Sequence, residues 1–327
     1  MDPKNRIIIA AIMFALTILG VGAGIRLAQL DEKARIDAAT EKKRLAESTI
    51  SGYGYPILKP DEEFLAKQPP EKKPVPQPAA KPAQPADPDG ITAEAYLVGD
   101  ILSGRIYFEK SPDKVVPFAS MSKLITALVA TDLYDSAAKI TITAEETLVP
   151  PDASGLKAGE SLTVKELLYP LLMNSSNVAG EALASSSNRM QFLKLMSDYS
   201  WELGMPESHL ADPTGLSPSN SGTARGFFGM ARYLHNKRPD ILAITRIATT
   251  SIASTTEHSY HLFSSIHPFV DDPGFLGGKT GRTNEALETM LTILKVDEHP
   301  TAFIVLRSRN RARDTLILIQ KLTGASF

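Results

Sequence analysis

The chain has 327 residues, 43% of them apolar, with a formal net charge of −2 and no cysteine. That size fits one large or two small globular domains, and the near-neutral balance gives a polyanion nothing to hold, so nucleic acid is not an expected partner. The lack of cysteine removes disulfides, thiolate zinc sites and a cysteine nucleophile.

From Ile7 to Ile25 the run "IIIAAIMFALTILGVGAGI" carries no charge for 19 residues, preceded by Lys4 and Arg6 and followed by Arg26. It is long enough to cross a bilayer core, and the basic residues at its short N-terminal end place that end in the cytoplasm. Residues 1–26 are therefore expected to be a lipid-inserted single-pass anchor or signal, with the rest on the extracytoplasmic side. Cleavage after the small residues Val21-Gly22-Ala23 is the competing reading, set second because the apolar run continues past them. Residues 27–90 follow as a charged, alanine-rich stalk and then a proline-rich stretch, Pro69 to Pro88. The latter favours an extended polyproline II spacer of roughly 3 Å per residue, about 60 Å in all.

At about Ile91 the composition turns globular and stays so to residue 327. "AEAYLVGDI" and "GRIYFEK" read as strands joined at Leu102-Ser103-Gly104, and "ETMLTILKV" and "TAFIVLRS" as a second hairpin turning at Asp297 to Pro300. Helical patterns fall between them, at Met121 to Tyr134, Val164 to Met173, Val178 to Leu183, Met190 to Leu203 and Gly222 to His235, with a last one at Ala312 to Leu322. Strands at both ends and helices in the middle predict an α+β fold: an antiparallel sheet of N- and C-terminal strands against a mainly helical region.

Three short motifs carry chemistry. "PFASMSKLITALVA" places Ser120 and Lys123 three apart at the front of an apolar helix, where positions i and i+3 share a face. A lysine buried there has its pKa lowered, so the neutral amine can take the serine's proton, and the helix N-terminus adds free N–H groups. The same spacing at Ser111 and Lys114 leads into extended chain and is a decoy. "LLMNSSNVAGEALA" sets Ser175 and Asn177 between two helical runs, although Ser-x-Asn also occurs at Ser186 and Ser308. "GFLGGKTGRTNEALETML" sets Lys279, Thr280 and Gly281 at a strand start after Gly277 and Gly278. Glycine there admits a ligand backbone, and a lysine beside the Thr280 and Thr283 hydroxyls suits a carboxylate.

Ser-x-x-Lys, Ser-x-Asn and Lys-Thr-Gly in this order resemble the signature of penicillin-binding proteins and class A β-lactamases. Within that superfamily the region from Ile91 to Leu322 most resembles the serine D-alanyl-D-alanine carboxypeptidases. "HLADPTGLSPSNSGTA" is similar to a family segment of Asn-Pro-Thr-Gly-Leu type, with Asp212 where asparagine is common, and "SRNRARDTLILI" to its closing segment. The resemblance implies that Ser120 attacks the peptide carbonyl between two terminal D-alanines of peptidoglycan stem peptides, giving an acyl-enzyme that water resolves. It makes Lys123 the base, Ser175 and Asn177 the proton relay and amide-positioning pair, and Lys279, Thr280 and Arg311, with Arg313 second, the holders of the terminal carboxylate. The oxyanion lies between the N–H groups of Ser120 and Arg282. No cofactor is implied, and β-lactam antibiotics are the implied covalent inhibitors.

A class A β-lactamase needs a deacylating glutamate between the second and third motifs. The nearest candidate, Glu207 in "ESHLA", lacks the expected asparagine, so that reading ranks low. A non-catalytic, membrane-tethered peptidoglycan-binding module is the alternative from another class. The histidines His258, His261 and His267, with Glu257, Asp271 and Asp272, raise a metal question, but their polar, loop-like setting favours solvated or structural roles and no metal is expected.

Overall fold

The computed structural model describes residues 90–149 and 151–324. The expected anchor at 1–26 and, apart from Gly90, the stalk and spacer lie outside the described residues. Among those described, no helix is long and apolar enough to cross a membrane.

A five-stranded antiparallel sheet is built from β1 (Ala95–Asp100), β2 (Ile106–Lys110), β9 (Phe275–Thr283), β10 (Leu287–Val296) and β11 (His299–Ser308), in the order β2-β1-β11-β10-β9. Strand β1 pairs with β11 along its whole length, from Ala95 opposite Leu306 to Asp100 opposite Thr301, so the two ends of the region meet as expected. Side chains alternate between faces. Ala95, Leu97, Leu291, Ile293, Ala302 and Ile304 join the larger core on the helical side. Tyr96, Val98, Met290, Phe303 and Val305 join a second core with Leu318. Leu318 belongs to the C-terminal helix Arg311–Thr323, which covers the other face. The fold thus has three layers rather than a sheet with one helical side, and burial on both faces is why the strands read as unbroken apolar runs.

Chain entry and exit are tied together. The Asp314 carboxylate, fully buried, accepts from the backbone N–H of Thr92 at 3.0 Å, its hydroxyl at 2.8 Å and the Ser308 hydroxyl at 2.6 Å. The β10–β11 turn is tighter than expected. Asp297 and Glu298 take left-handed φ of 46° and 66°, as a two-residue hairpin turn requires, so His299 and Pro300 already belong to β11.

On the helical side, α1 (Lys123–Leu133) has every residue from Lys123 to Ala130 buried and packs against α2 (Val164–Leu172), α3 (Asn177–Ser185) and α4 (Arg189–Glu202). Each of those three is capped: a Thr163–Glu166 capping box, Ser176 bonded to Ala179 N–H and Asn188 bonded to Gln191 N–H. Helix α5 (Ala224–Lys237) lies against β1 and β11. Short elements went unpredicted: β3 (Val116–Pro117) with β6 (Ser221–Gly222), β4 (Lys139–Thr141) with β5 (Ser161–Thr163), β7 (Thr249–Ile252) with β8 (His261–Ser264), and α6 (Pro239–Thr245). The C-terminal helix, one residue longer at each end than expected, is α7.

Candidate active site

Ser120 sits where β3 turns into the helical layer. It lies in a single 3-10 turn, Ala119–Ser122, and α1 proper begins at Lys123. Ala119 is held at φ +50°, a left-handed conformation that costs an L-residue roughly 1 kcal/mol or more and persists only where neighbours impose it. Two glycines bring those neighbours in. A Cβ on Gly215, itself at φ +83°, would lie 2.0 Å from Ala119 O, and one on Gly281 would lie 2.9 Å from Ser120 N. Both backbones therefore press on the residue pair that presents the serine, and Thr289 Oγ1 donates to Phe118 O at 2.9 Å just before it.

Lys123 is fully buried. Its Nζ lies 2.8 Å from Ser120 Oγ, 2.7 Å from Asn177 Oδ1 and 2.6 Å from Thr214 O. Burial pushes its pKa down to about 7, against the opposing fields of Asp212, Asp152 and Glu181. Near neutrality a large share of the amine is therefore uncharged. Its two N–H bonds then go to Asn177 Oδ1 and Thr214 O, leaving the lone pair for the Ser120 hydroxyl.

The second motif lies at the α2–α3 corner. Ser175 is at φ +65° and its Oγ accepts from Lys279 Nζ at 2.9 Å. Asn177 opens α3 and anchors its amide on Pro151 O at 2.7 Å. Ser176, which the sequence did not single out, caps α3 and donates to Asp152 Oδ2 at 2.6 Å, while Val178 N–H donates to the same oxygen at 2.9 Å. Asp152 is thus a carboxylate at a helix N-terminus, where negative charge is favoured.

The third motif lies on β9, the last strand of the sheet. Lys279 is 2% exposed and donates to Ser175 Oγ and to Thr280 O, each at 2.9 Å. Burial first, then the charges of Lys123 and Arg311, hold its pKa well below the usual lysine value. Arg311 Nη1 donates to Gly281 O at 2.8 Å, whereas Arg313 Nη1 donates to Gly90 O, so of the two only Arg311 joins the site.

Other expectations divide. Thr280 is buried beside Lys279. The Thr283 hydroxyl accepts from Ala286 N–H at 3.0 Å and serves the β9–β10 turn. The Arg282 guanidinium is largely exposed, 3.9 Å from Glu288. Gly277 and Gly278 admit the protein's own packing rather than a ligand: a Cβ there would strike Thr245 and Leu242 of α6 in one case, His267 and Leu291 O in the other. The decoys also resolve. Asn188 and Asn310 are N-caps of α4 and α7, and Asp113 and Lys114 pair with Arg225 and Glu94. Glu207 is exposed, and the carboxylates facing Lys123 are others. His267 is buried on Leu291 O at 3.1 Å, and burial lowers its pKa to about 3. His261 packs on Phe263 beside Glu160, and no group of three candidate ligands that would hold a metal occurs among the described residues. Thr214 and Asp152 were missed as site residues, because a backbone carbonyl and a loop carboxylate leave no motif.

A family model described as D-alanyl-D-alanine carboxypeptidase matches residues 80–310. A D-alanyl-D-alanine endopeptidase of Haemophilus influenzae is 30% identical over 177 residues, 53% of this chain and 60% of its own length. One of Pseudomonas aeruginosa is 29% identical over 225 residues, 66% of this chain and 71% of its own. A D-alanyl-D-alanine carboxypeptidase of Mycobacterium tuberculosis is 29% identical over 218 residues, 62% and 70% of the two chains. Among solved structures, a D-alanyl-D-alanine carboxypeptidase from Mycobacterium tuberculosis superposes with a TM-score of 0.65 at 24% identity, covering 75% of this chain and 96% of that one. A Streptomyces DD-transpeptidase superposes with a TM-score of 0.65 at 22% identity, covering 72% and 98%. Likeness at these identities is a likeness of fold.

Proposed function

Because the chain belongs to the D-alanyl-D-alanine carboxypeptidase family, we propose that it is a serine D-Ala-D-Ala carboxypeptidase that removes the terminal D-alanine from peptidoglycan stem peptides. The observation that carries this reading is the Lys123 amine, buried, satisfied by Asn177 and Thr214, and 2.8 Å from Ser120 Oγ. In acylation the neutral amine takes the Ser120 proton as Oγ bonds to the carbonyl carbon, and the carbonyl electron pair moves onto oxygen. The N–H groups of Ser120 and Arg282 stabilise that oxyanion. As the oxyanion pair re-forms the carbonyl and the C–N bond breaks, the proton passes from Lys123 by way of Ser175 to the leaving nitrogen of the released D-alanine, with Asn177 orienting the substrate amide. Water then adds to the ester carbonyl, breaking the bond to Oγ and freeing the shortened peptide and the Ser120 hydroxyl. Lys279, Thr280 and Arg311 hold the terminal carboxylate, with charge-assisted hydrogen bonds of the stronger kind.

Incubating the protein with a penicillin tests this directly, by intact-mass and peptide-mapping spectrometry. A stable adduct on Ser120 that is absent from Ser120→Ala is the expected result. No adduct and an intact drug would favour a binding module without turnover, and no adduct with consumed drug would favour a β-lactamase. Endopeptidase action on cross-links uses the same residues and is favoured by the names of the Haemophilus and Pseudomonas relatives. Release of monomers from cross-linked muropeptide dimers would reveal it.

For location, the reading is a single-pass membrane protein with its catalytic region outside, tethered through residues 1–26 and spaced by 27–90. Its support is the uncharged run from Ile7 to Ile25. Recovery of the full chain in the soluble fraction after cell lysis would overturn it.

A further inference from the structure

The loop from Ala211 to Asn220 bonds to the site through its backbone carbonyls, and two of its own side chains hold it in shape. Asp212, 9% exposed, accepts at Oδ1 from Thr214 N–H at 2.7 Å, the Thr214 hydroxyl at 2.7 Å, Gly215 N–H at 2.6 Å and Leu216 N–H at 3.3 Å, and at Oδ2 from Ser217 N–H at 2.7 Å. Asn220 closes the loop from the other side, accepting from Ala211 and Asp212 N–H and donating to Asp212 O. Its carbonyls then face α1: Pro213 O accepts from Thr126 Oγ1 at 2.6 Å, and Thr214 O accepts from Lys123 Nζ at 2.6 Å. Gly215 presses on Ala119, one residue before the nucleophile.

Those five hydrogen bonds come from uncharged donors, so they orient the carboxylate without cancelling its charge. Burial alone would raise the Asp212 pKa, but the Thr214 hydroxyl and the loop N–H groups outweigh it and hold Asp212 ionised. The charged groups that face Lys123 are Asp212 from this loop, Asp152 from the loop before β5, Glu181 from α3 and Lys279 from β9, and Arg189 of α4 faces Asp212 in turn. Glu181 is paired with Arg189 at 2.8 Å, and Asp152 is engaged with α3 and Ser154. Asp212 alone of the three carboxylates is joined to Lys123 through a single residue, Thr214.

We propose that Asp212 is a positioning residue for acylation, its carboxylate fixing the Thr214 carbonyl against the Lys123 amine and setting the pH at which that amine accepts the Ser120 proton. This rests on the reading of Ser120 as nucleophile and Lys123 as base. Asparagine has one acceptor oxygen, so Asp212→Asn loses the Oδ2 contact to Ser217 N–H and removes the charge. Without that charge the ammonium form of Lys123 is less favoured, so its deprotonation moves to lower pH.

The experiment is the rate of penicillin acylation of the full chain, followed by intact mass from about pH 5 to about pH 10, spanning the range where a perturbed lysine titrates. Wild type is expected to gain rate through a limb near 7. In Asp212→Asn that limb moves down by about one unit, and the plateau falls on the order of tenfold as the amine is displaced. A limb that coincides with wild type overturns the proposal, since a merely structural residue changes the plateau alone. If Asp212→Asn does not fold, Asp212→Glu carries the test: the charge stays and the loop bonds shift, so the plateau falls while the limb holds. A Glu variant whose limb moves, or whose plateau matches wild type, sinks the idea. A wild type that takes up no penicillin at all overturns the reading of the site, and this inference with it.

Discussion

Lys123 and Lys279 are both sealed from solvent, in adjoining regions that treat an ammonium group differently. The helical layer gives Lys123 three acceptors and the fields of three carboxylates, and its pKa stops near 7. The sheet edge gives Lys279 a hydroxyl and one carbonyl, and its charged neighbours are the cations Lys123 and Arg311. Burial is common to both, so the difference lies in the counter-charge. The helical layer has built its anions in and leaves an amine poised to exchange a proton. At the sheet edge Glu288 serves Arg282 and Arg311 rather than Lys279, and an arriving carboxylate would supply the missing counter-charge.

The strongest way to break that contrast is Lys123→Ala, which removes the amine hydrogen-bonded to Ser120. Penicillin acylation is expected to fall by about 10⁴-fold or more, as when a member of a nucleophile–base pair is deleted. A rate within tenfold of wild type would move the base elsewhere. Lys279→Ala should cost less, about 10²-fold in kcat/KM for a D-Ala-D-Ala peptide, and much less for a substrate whose terminal carboxylate is amidated. Equal losses on both substrates would show that Lys279 does not read the carboxylate. Wild-type acylation should itself fall about tenfold per pH unit below the limb near 7, because the neutral amine becomes scarce as the ammonium fills. A rate flat down to pH 5 would mean that protonated Lys123 suffices. The smallest effect separates the two arginines. Arg311→Gln, losing the guanidinium at Gly281 O, should raise KM about tenfold, while Arg313→Gln should leave KM unchanged. Matching KM values would place the carboxylate contact elsewhere.

Much of this was legible beforehand, and for physical reasons. The strands from Ala95 and from Leu287 onward are apolar on both faces, so no solvent-side alternation confuses their assignment. The helices carry N-caps at Thr163, Ser176, Asn188, Thr223 and Asn310 that start them. Ser120 and Lys123 were paired by helical spacing, and Asn177 joined them through the resemblance carried by the three motifs in order. What stayed hidden is held by backbone or by loops. Thr214 contributes a carbonyl, which no residue type announces. Helix α6 is seven residues long and defined by its packing on Gly277, and the β7–β8 hairpin has no glycine turn to mark it. The glycines before Lys279 misled for a related reason, since a glycine signals close approach without saying to what.

The pairing of β1 with β11 sets the order of events when the chain folds. Thr92 and Asp314 are 222 residues apart, and the central sheet cannot close until the last strand and the start of α7 have been made. Contacts of such long sequence separation form slowly, because loop closure comes before its reward. The residue that bears the nucleophile emerges early, but Lys279, Thr289 and Gly281 arrive with the late strands. A chain that stops short of β9 therefore holds the serine without the strand against which it is set, and its site is complete only once β9 to β11 have been added.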